Sequence, residues 1–130
     1  MPYTNTNFTD RGSYNCGHLI EAALAHHDLY GNTLLLEVME KYVDLLCNTF
    51  GPGKEQIPGY PGHPEIELAL LRLHERTANP KHLALAKFFI LERGNPKGWE
   101  GKNFFDEESR RRGDDPNKRP KYYPERDCLW

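Results

Sequence analysis

Two short motifs carry the residue types from which a polar site is most readily built. Gly17-His18 is followed three residues later by Glu21, and Gly62-His63 four residues later by Glu67. Side chains three or four apart on a helix share a face, so each motif would present an imidazole beside a carboxylate. Neutral imidazole donates at one ring nitrogen and accepts at the other, and a carboxylate accepts at both oxygens. At the start of a helix, where backbone N–H groups lack partners and the macrodipole is positive, such a pair suits a hydroxylated or anionic ligand. Capping of the helix supported by an i,i+4 pair explains the same spacing without any ligand.

Other chemistries fit less well. Cys16, His18, His26 and His27 crowd together, but Cys16 and His18 are two apart and leave a helix on different sides, with His26 two turns on, so one tetrahedral zinc could not collect them. Cys16 and Cys47 read instead as small apolar side chains. Glu21, Glu65 and Glu67 are the candidates for paired acid and base, yet Glu65 and Glu67 are two apart and cannot face one substrate from a regular helix. The sequence lacks a phosphate loop, a dinucleotide fingerprint, a serine-hydrolase elbow and a zincin motif. Arg110-Arg111-Arg112 is flanked by Asp106, Glu107, Glu108, Asp114 and Asp115, which nearly neutralise it and make it a solvated face. Asn7-Phe8-Thr9 matches a glycosylation acceptor, a pattern common by chance.

Composition narrows the field further. Seventeen Lys and Arg against nineteen Asp and Glu leave a formal charge of −2, so there is no excess of positive charge for a nucleic acid. No apolar run is long enough to span a membrane, and Met1 to Asp10 lacks the basic start and apolar stretch of an export signal. Three cysteines are an odd number at wide spacing, which fits a reducing compartment. The expected location is therefore the cytoplasm.

Four helices must position the motifs. After an irregular lead-in over residues 1–15, apolar residues at Leu19, Ile20, Ala23, Leu24 and Tyr30 predict a first helix stopped by Gly31 and Asn32. Leu34, Leu35, Val38, Met39, Tyr42, Leu45, Leu46 and Phe50 predict a second, with Thr33 as its N-cap. Residues 51–64 hold four Gly and four Pro and must form a loop. Ile66, Ala69, Leu70 and Leu73 then predict a third helix, and Leu83, Leu85, Ala86, Phe89 and Ile90 a fourth, ending at Gly94.

Ile20 to Leu24 aligns with Ile66 to Leu70 at an offset of 46 residues, so residues 16–94 read as two helix-hairpin repeats. About three such units are usually needed for stability. Two alone should leave apolar faces on the second and fourth helices exposed, and self-association is expected. Residues 95–130 differ in kind: 17 of the 36 are charged, Pro and Gly recur, and Trp99, Phe104, Phe105, Tyr122, Tyr123 and Trp130 are too many aromatics for a simple disordered tail.

At Tyr14-Asn15-Cys16-Gly17-His18-Leu19-Ile20-Glu21-Ala22-Ala23 and Gly59-Tyr60-Pro61-Gly62-His63-Pro64-Glu65-Ile66-Glu67-Leu68-Ala69-Leu70 the chain resembles glycoside hydrolase family 127, the β-L-arabinofuranosidases and their relatives. The resemblance runs from about Tyr14 to Gly94, and less specifically through Tyr122-Tyr123-Pro124-Glu125. It implies an all-α fold, two helical hairpins of an (α/α)6 toroid, and a saccharide as partner. It also implies that His18 and His63 bond sugar hydroxyls, with Glu21 and Glu67 in supporting positions. Family members are understood to use a zinc-held cysteine nucleophile, with further cysteines and a glutamate on the metal and a second glutamate as acid/base. This sequence has no Glu-x-Cys and no adjacent cysteine pair, so the expectation is part of such an enzyme, without catalytic residues or zinc ligands of its own. The alternative is a helical-repeat scaffold that binds a protein or saccharide without turnover.

Overall fold

The computed structural model describes residues 13–61, 64–93, 95 and 113. The lead-in with Asn7, the second Gly-His pair at positions 62 and 63, and the charged aromatic segment from residue 96, apart from Gly113, lie outside the described residues. The described part is all-α: α1 (Ser13–Tyr30), α2 (Leu34–Thr49), α3 (Ile66–Thr77) and α4 (Pro80–Arg93). Among the described residues no helix is long and apolar enough to cross a membrane.

Local chemistry sets the ends of each helix. Gly31 at φ 65 closes α1, its N–H donating to the His27 carbonyl. Asn32 then accepts from the Leu34 N–H, doing the work expected of Thr33, whose hydroxyl donates instead to Glu37. Ala78, left-handed at φ 55, ends α3, and Asn79 accepts from the Lys81 N–H while Pro80 fills the first position of α4.

The helices form two stacked hairpins: α1 lies against α3, α2 against α4, and each hairpin closes on itself. The repeat is exact in the core, where Ile20, Ala23 and Leu24 are buried and so are their partners Ile66, Ala69 and Leu70. It fails ahead of the core. α1 runs seven residues before Ile20, whereas α3 begins at Ile66 itself, because Pro61 and Pro64 disfavour helix upstream. Thus α1 starts at Ser13, three residues earlier than the sequence suggests, and His18 sits within a helix while position 63 precedes one.

Helix α2 holds more apolar residues than one face can bury. Leu36, Met39, Val43 and Leu46 face the core, while Leu34, Val38 and Leu45 of the expected stripe point outward. The first half of the Gly/Pro loop closes on its own contacts. Gln56 donates to the carbonyls of Cys47 and Phe50 and accepts from the Gly53 N–H, and Phe50 and Ile57 form an isolated parallel bridge.

His82 is a buried polar residue in the α3–α4 hairpin. Its Nδ1 lies 3.0 Å from the Thr77 hydroxyl, and among the described residues its Nε2 has no partner. Burial holds its pKa below 6.5, against an opposing pull from Asp44 and with smaller lowering effects from His74 and Lys81. The unfolded chain therefore takes up this proton first as pH falls. Stability from this group is complete above pH 6.5 and lost progressively below it. His82→Asn is expected to flatten the pH dependence of wild-type urea-unfolding stability below about pH 6.5; an unchanged slope would show that His82 does not titrate this way.

Candidate functional site

The two motifs meet where α1 crosses the start of α3. A Cβ on Gly17 would lie 3.2 Å from the Ile66 Cα and 3.4 Å from the Glu65 carbonyl carbon, so only glycine lets the backbones approach this closely. That approach places the His18 Nε2 3.8 Å from the Glu65 carboxylate, with the His18 side chain 52% exposed. Glu65 occupies the N-cap position of α3 without a capping bond from its side chain, which is thus directed to the histidine. The imidazole of the first motif therefore stands beside a carboxylate of the second.

The glutamate of the first motif also reaches another helix. Glu21 accepts from Arg72 Nη1 across the α1–α3 groove at 2.6 Å. Arg76, one turn on, continues the ladder to Asp28 at 2.5 Å and donates to His27 Nδ1. These exposed bonds line an open groove of about 380 Å³ that also includes Glu75. Exposed pairs of this kind contribute roughly 0–1 kcal/mol each.

Glu67 lies in the interior. It is 4% exposed, and its Oε1 accepts from Arg93 Nη1, while among the described residues Oε2 has no partner. Burial pushes its pKa up, with Arg93 pulling the other way. A carboxylate so placed holds the first turn of α3 to the end of α4. Arg93 also donates to the Pro61 carbonyl at 2.8 Å and lies 5.7 Å from the centre of the Tyr60 ring. Sequence reasoning missed this cluster, because a basic residue in a last helical turn ordinarily reads as complementing the helix dipole.

The surroundings of Cys16 and Cys47 favour the protonated thiol. Cys16 is buried among apolar residues and its pKa is pushed up to about 12 by desolvation, which leaves it protonated. Cys47 donates to the Lys81 carbonyl, and its pKa is also raised, mainly by burial. Among the described residues no three His, Cys, Asp or Glu side chains gather to hold a metal.

Residues 2–114 match the family described as β-L-arabinofuranosidase, GH127 catalytic domain. The chain belongs to glycoside hydrolase family 127. A non-reducing end β-L-arabinofuranosidase from Bifidobacterium longum subsp. longum is 48% identical over 81 residues, covering 62% of this chain. The crystal structure of a GH127 β-L-arabinofuranosidase from Geobacillus stearothermophilus T6 superposes with a TM-score of 0.70 at 46% identity over 79% of the chain. A second GH127 β-arabinofuranosidase gives 0.61 at 41% identity over 63% of the chain. The chain spans 12% of the Bifidobacterium enzyme and 15% and 13% of the two solved ones. The GH127 hairpins are thus recognisable in both sequence and backbone.

Proposed function

We propose that the end of the α1–α3 pair is one wall of the sugar pocket of a β-L-arabinofuranosidase-type glycoside hydrolase. The observation that carries this reading is the meeting of His18 with Glu65, a half-exposed imidazole beside a carboxylate where the two GH127 motifs adjoin. In this role His18 exchanges hydrogen bonds with furanose hydroxyls, His63 does the same from outside the described residues, and Glu21 supports them from the groove. Glu67 supports them only from behind, through Arg93. No bond-breaking step is assigned to the described residues. The unbridged thiols of Cys16 and Cys47 accord with a reducing compartment such as the cytoplasm.

The test is calorimetric titration with methyl β-L-arabinofuranoside, beside hydrolysis of a chromogenic β-L-arabinofuranoside with and without zinc. Binding without turnover is expected, and His18→Ala should weaken it by about tenfold, the value of one or two lost hydrogen bonds. Equal affinity in the variant would remove His18 from the site. Turnover by the chain would show that it holds a catalytic group of its own.

The scaffold reading draws on a different observation, the outward Leu34, Val38 and Leu45, which share one face of α2, together with Ile90 and Leu91 on α4. On that reading the chain self-associates through these faces. Sedimentation velocity should show association that rises with concentration and disappears in Val38→Lys/Leu45→Lys; a compact monomer at all concentrations counts against it.

A further inference from the structure

Arg93 is the last residue of α4, yet it is 2% exposed and its guanidinium serves other elements. Nη1 donates to Glu67 in the first turn of α3, and Nη2 donates to the Pro61 carbonyl. The two bonds bracket residues 61 to 67, within which Glu65 meets His18. The Tyr60 ring beside the guanidinium extends the grip one residue further upstream. Neutralising a buried Glu67 requires only a nearby positive charge, whereas gripping a loop carbonyl at the same time requires a planar fork of donors with fixed geometry.

We propose that Arg93 is a positioning residue for the His18–Glu65 site: from the end of α4 it ties the chain at Tyr60 and Pro61 to the first turn of α3, and so fixes where Glu65 stands against the imidazole. The ligand part of this inference rests on the sugar-pocket reading above. The positioning part does not, because it concerns the protein's own geometry. The influence of Arg93 on His18 and Glu65 is carried by the held segment and by the packing of Ile66 on Gly17.

Arg93→Lys in the full chain keeps a charge opposite Glu67 and removes the fork. Amide hydrogen exchange should accelerate at least tenfold over residues 57–67 and remain unchanged in α2. The His18 ring signals in a nitrogen–proton correlation spectrum should shift, and affinity for methyl β-L-arabinofuranoside should fall at least fivefold. Should the lysine variant fail to fold, Glu67→Gln/Arg93→Gln, which buries no charge, carries the same measurements with the same expected changes. Wild-type exchange over 57–67, an acceleration spread equally over all four helices, or unmoved His18 signals overturns the positioning role. If wild type itself binds no arabinofuranoside, the sugar-pocket reading falls, and the exchange and His18 signals still decide whether Arg93 positions the site.

Discussion

Gly17→Ala is expected to destabilise the chain, against the usual sign for a glycine inside a helix. Alanine in a helix interior ordinarily gains roughly 1 kcal/mol over glycine. Here the added methyl would meet the Ile66 Cα at 3.2 Å and its backbone nitrogen at 3.3 Å, and neither belongs to a flexible side chain that can swing aside. Overpacking costs about 1–3 kcal/mol in a well-packed interior, so the net loss should be on the order of 1 kcal/mol. Gly17→Val adds two further methyl groups and lowers helix propensity, and should cost about 3 kcal/mol. Urea unfolding reads both. Gly31 supplies the contrast, since nothing lies within 4 Å of its would-be Cβ and its φ of 65° alone makes Gly31→Ala unfavourable, by about 1–2 kcal/mol. The two losses are distinguishable at the site: Gly17→Ala should disturb the His18 signals, whereas Gly31→Ala, at the far end of α1, should leave them alone. A Gly17→Ala chain more stable than wild type would mean that α3 yields freely and that the close approach is not what joins the motifs.

The same contact shows which parts of this architecture are legible in sequence. Helix α3 reads directly, because Ile66, Ala69, Leu70 and Leu73 sit on one face and all four are buried. The 46-residue repeat also reads directly, since core positions answer to the same period in both hairpins. Helix α2 reads only in part: apolar periodicity finds the helix but cannot choose between two apolar faces, and the face with Leu36 and Val43 is the one that meets α1 and α4. The glutamates mislead for a different reason. Equivalent places in a repeat have equivalent backbones but not equivalent neighbours, so Glu21 finds Arg72 in an exposed groove while Glu67 finds Arg93 in the interior. Those partners lie 51 and 26 residues away, beyond any local spacing rule. Gly17 reads in sequence as one half of a Gly-His pair, and its reason for being glycine lies in another helix.

Arg93→Met should give a still larger loss, about 3–5 kcal/mol, because it leaves the Glu67 carboxylate buried without its counter-charge. Its pH dependence is diagnostic. Burial already raises the Glu67 pKa from 4.5, and the guanidinium opposes that rise. Without Arg93 the folded-state pKa climbs further, so the folded chain binds a proton that the unfolded chain has released. A raised folded-state pKa contributes stability that is complete below the unfolded value and lost as pH rises through the folded one. The penalty of Arg93→Met should therefore be smallest near pH 4 and grow toward neutrality, and differential scanning calorimetry across that range reads it. Glu67→Met/Arg93→Met should recover much of the loss and remove its pH dependence, since apolar side chains of similar length can replace a buried ion pair without charge left over. The double variant also loses the bond to the Pro61 carbonyl, so its stability can return while the loop remains loosened. Recovered stability with accelerated exchange at residues 57–67 would separate the two roles of Arg93, charge partner of Glu67 and clamp on the loop. Single-variant losses that simply add in the double variant would instead show Glu67 and Arg93 to be independent buried groups.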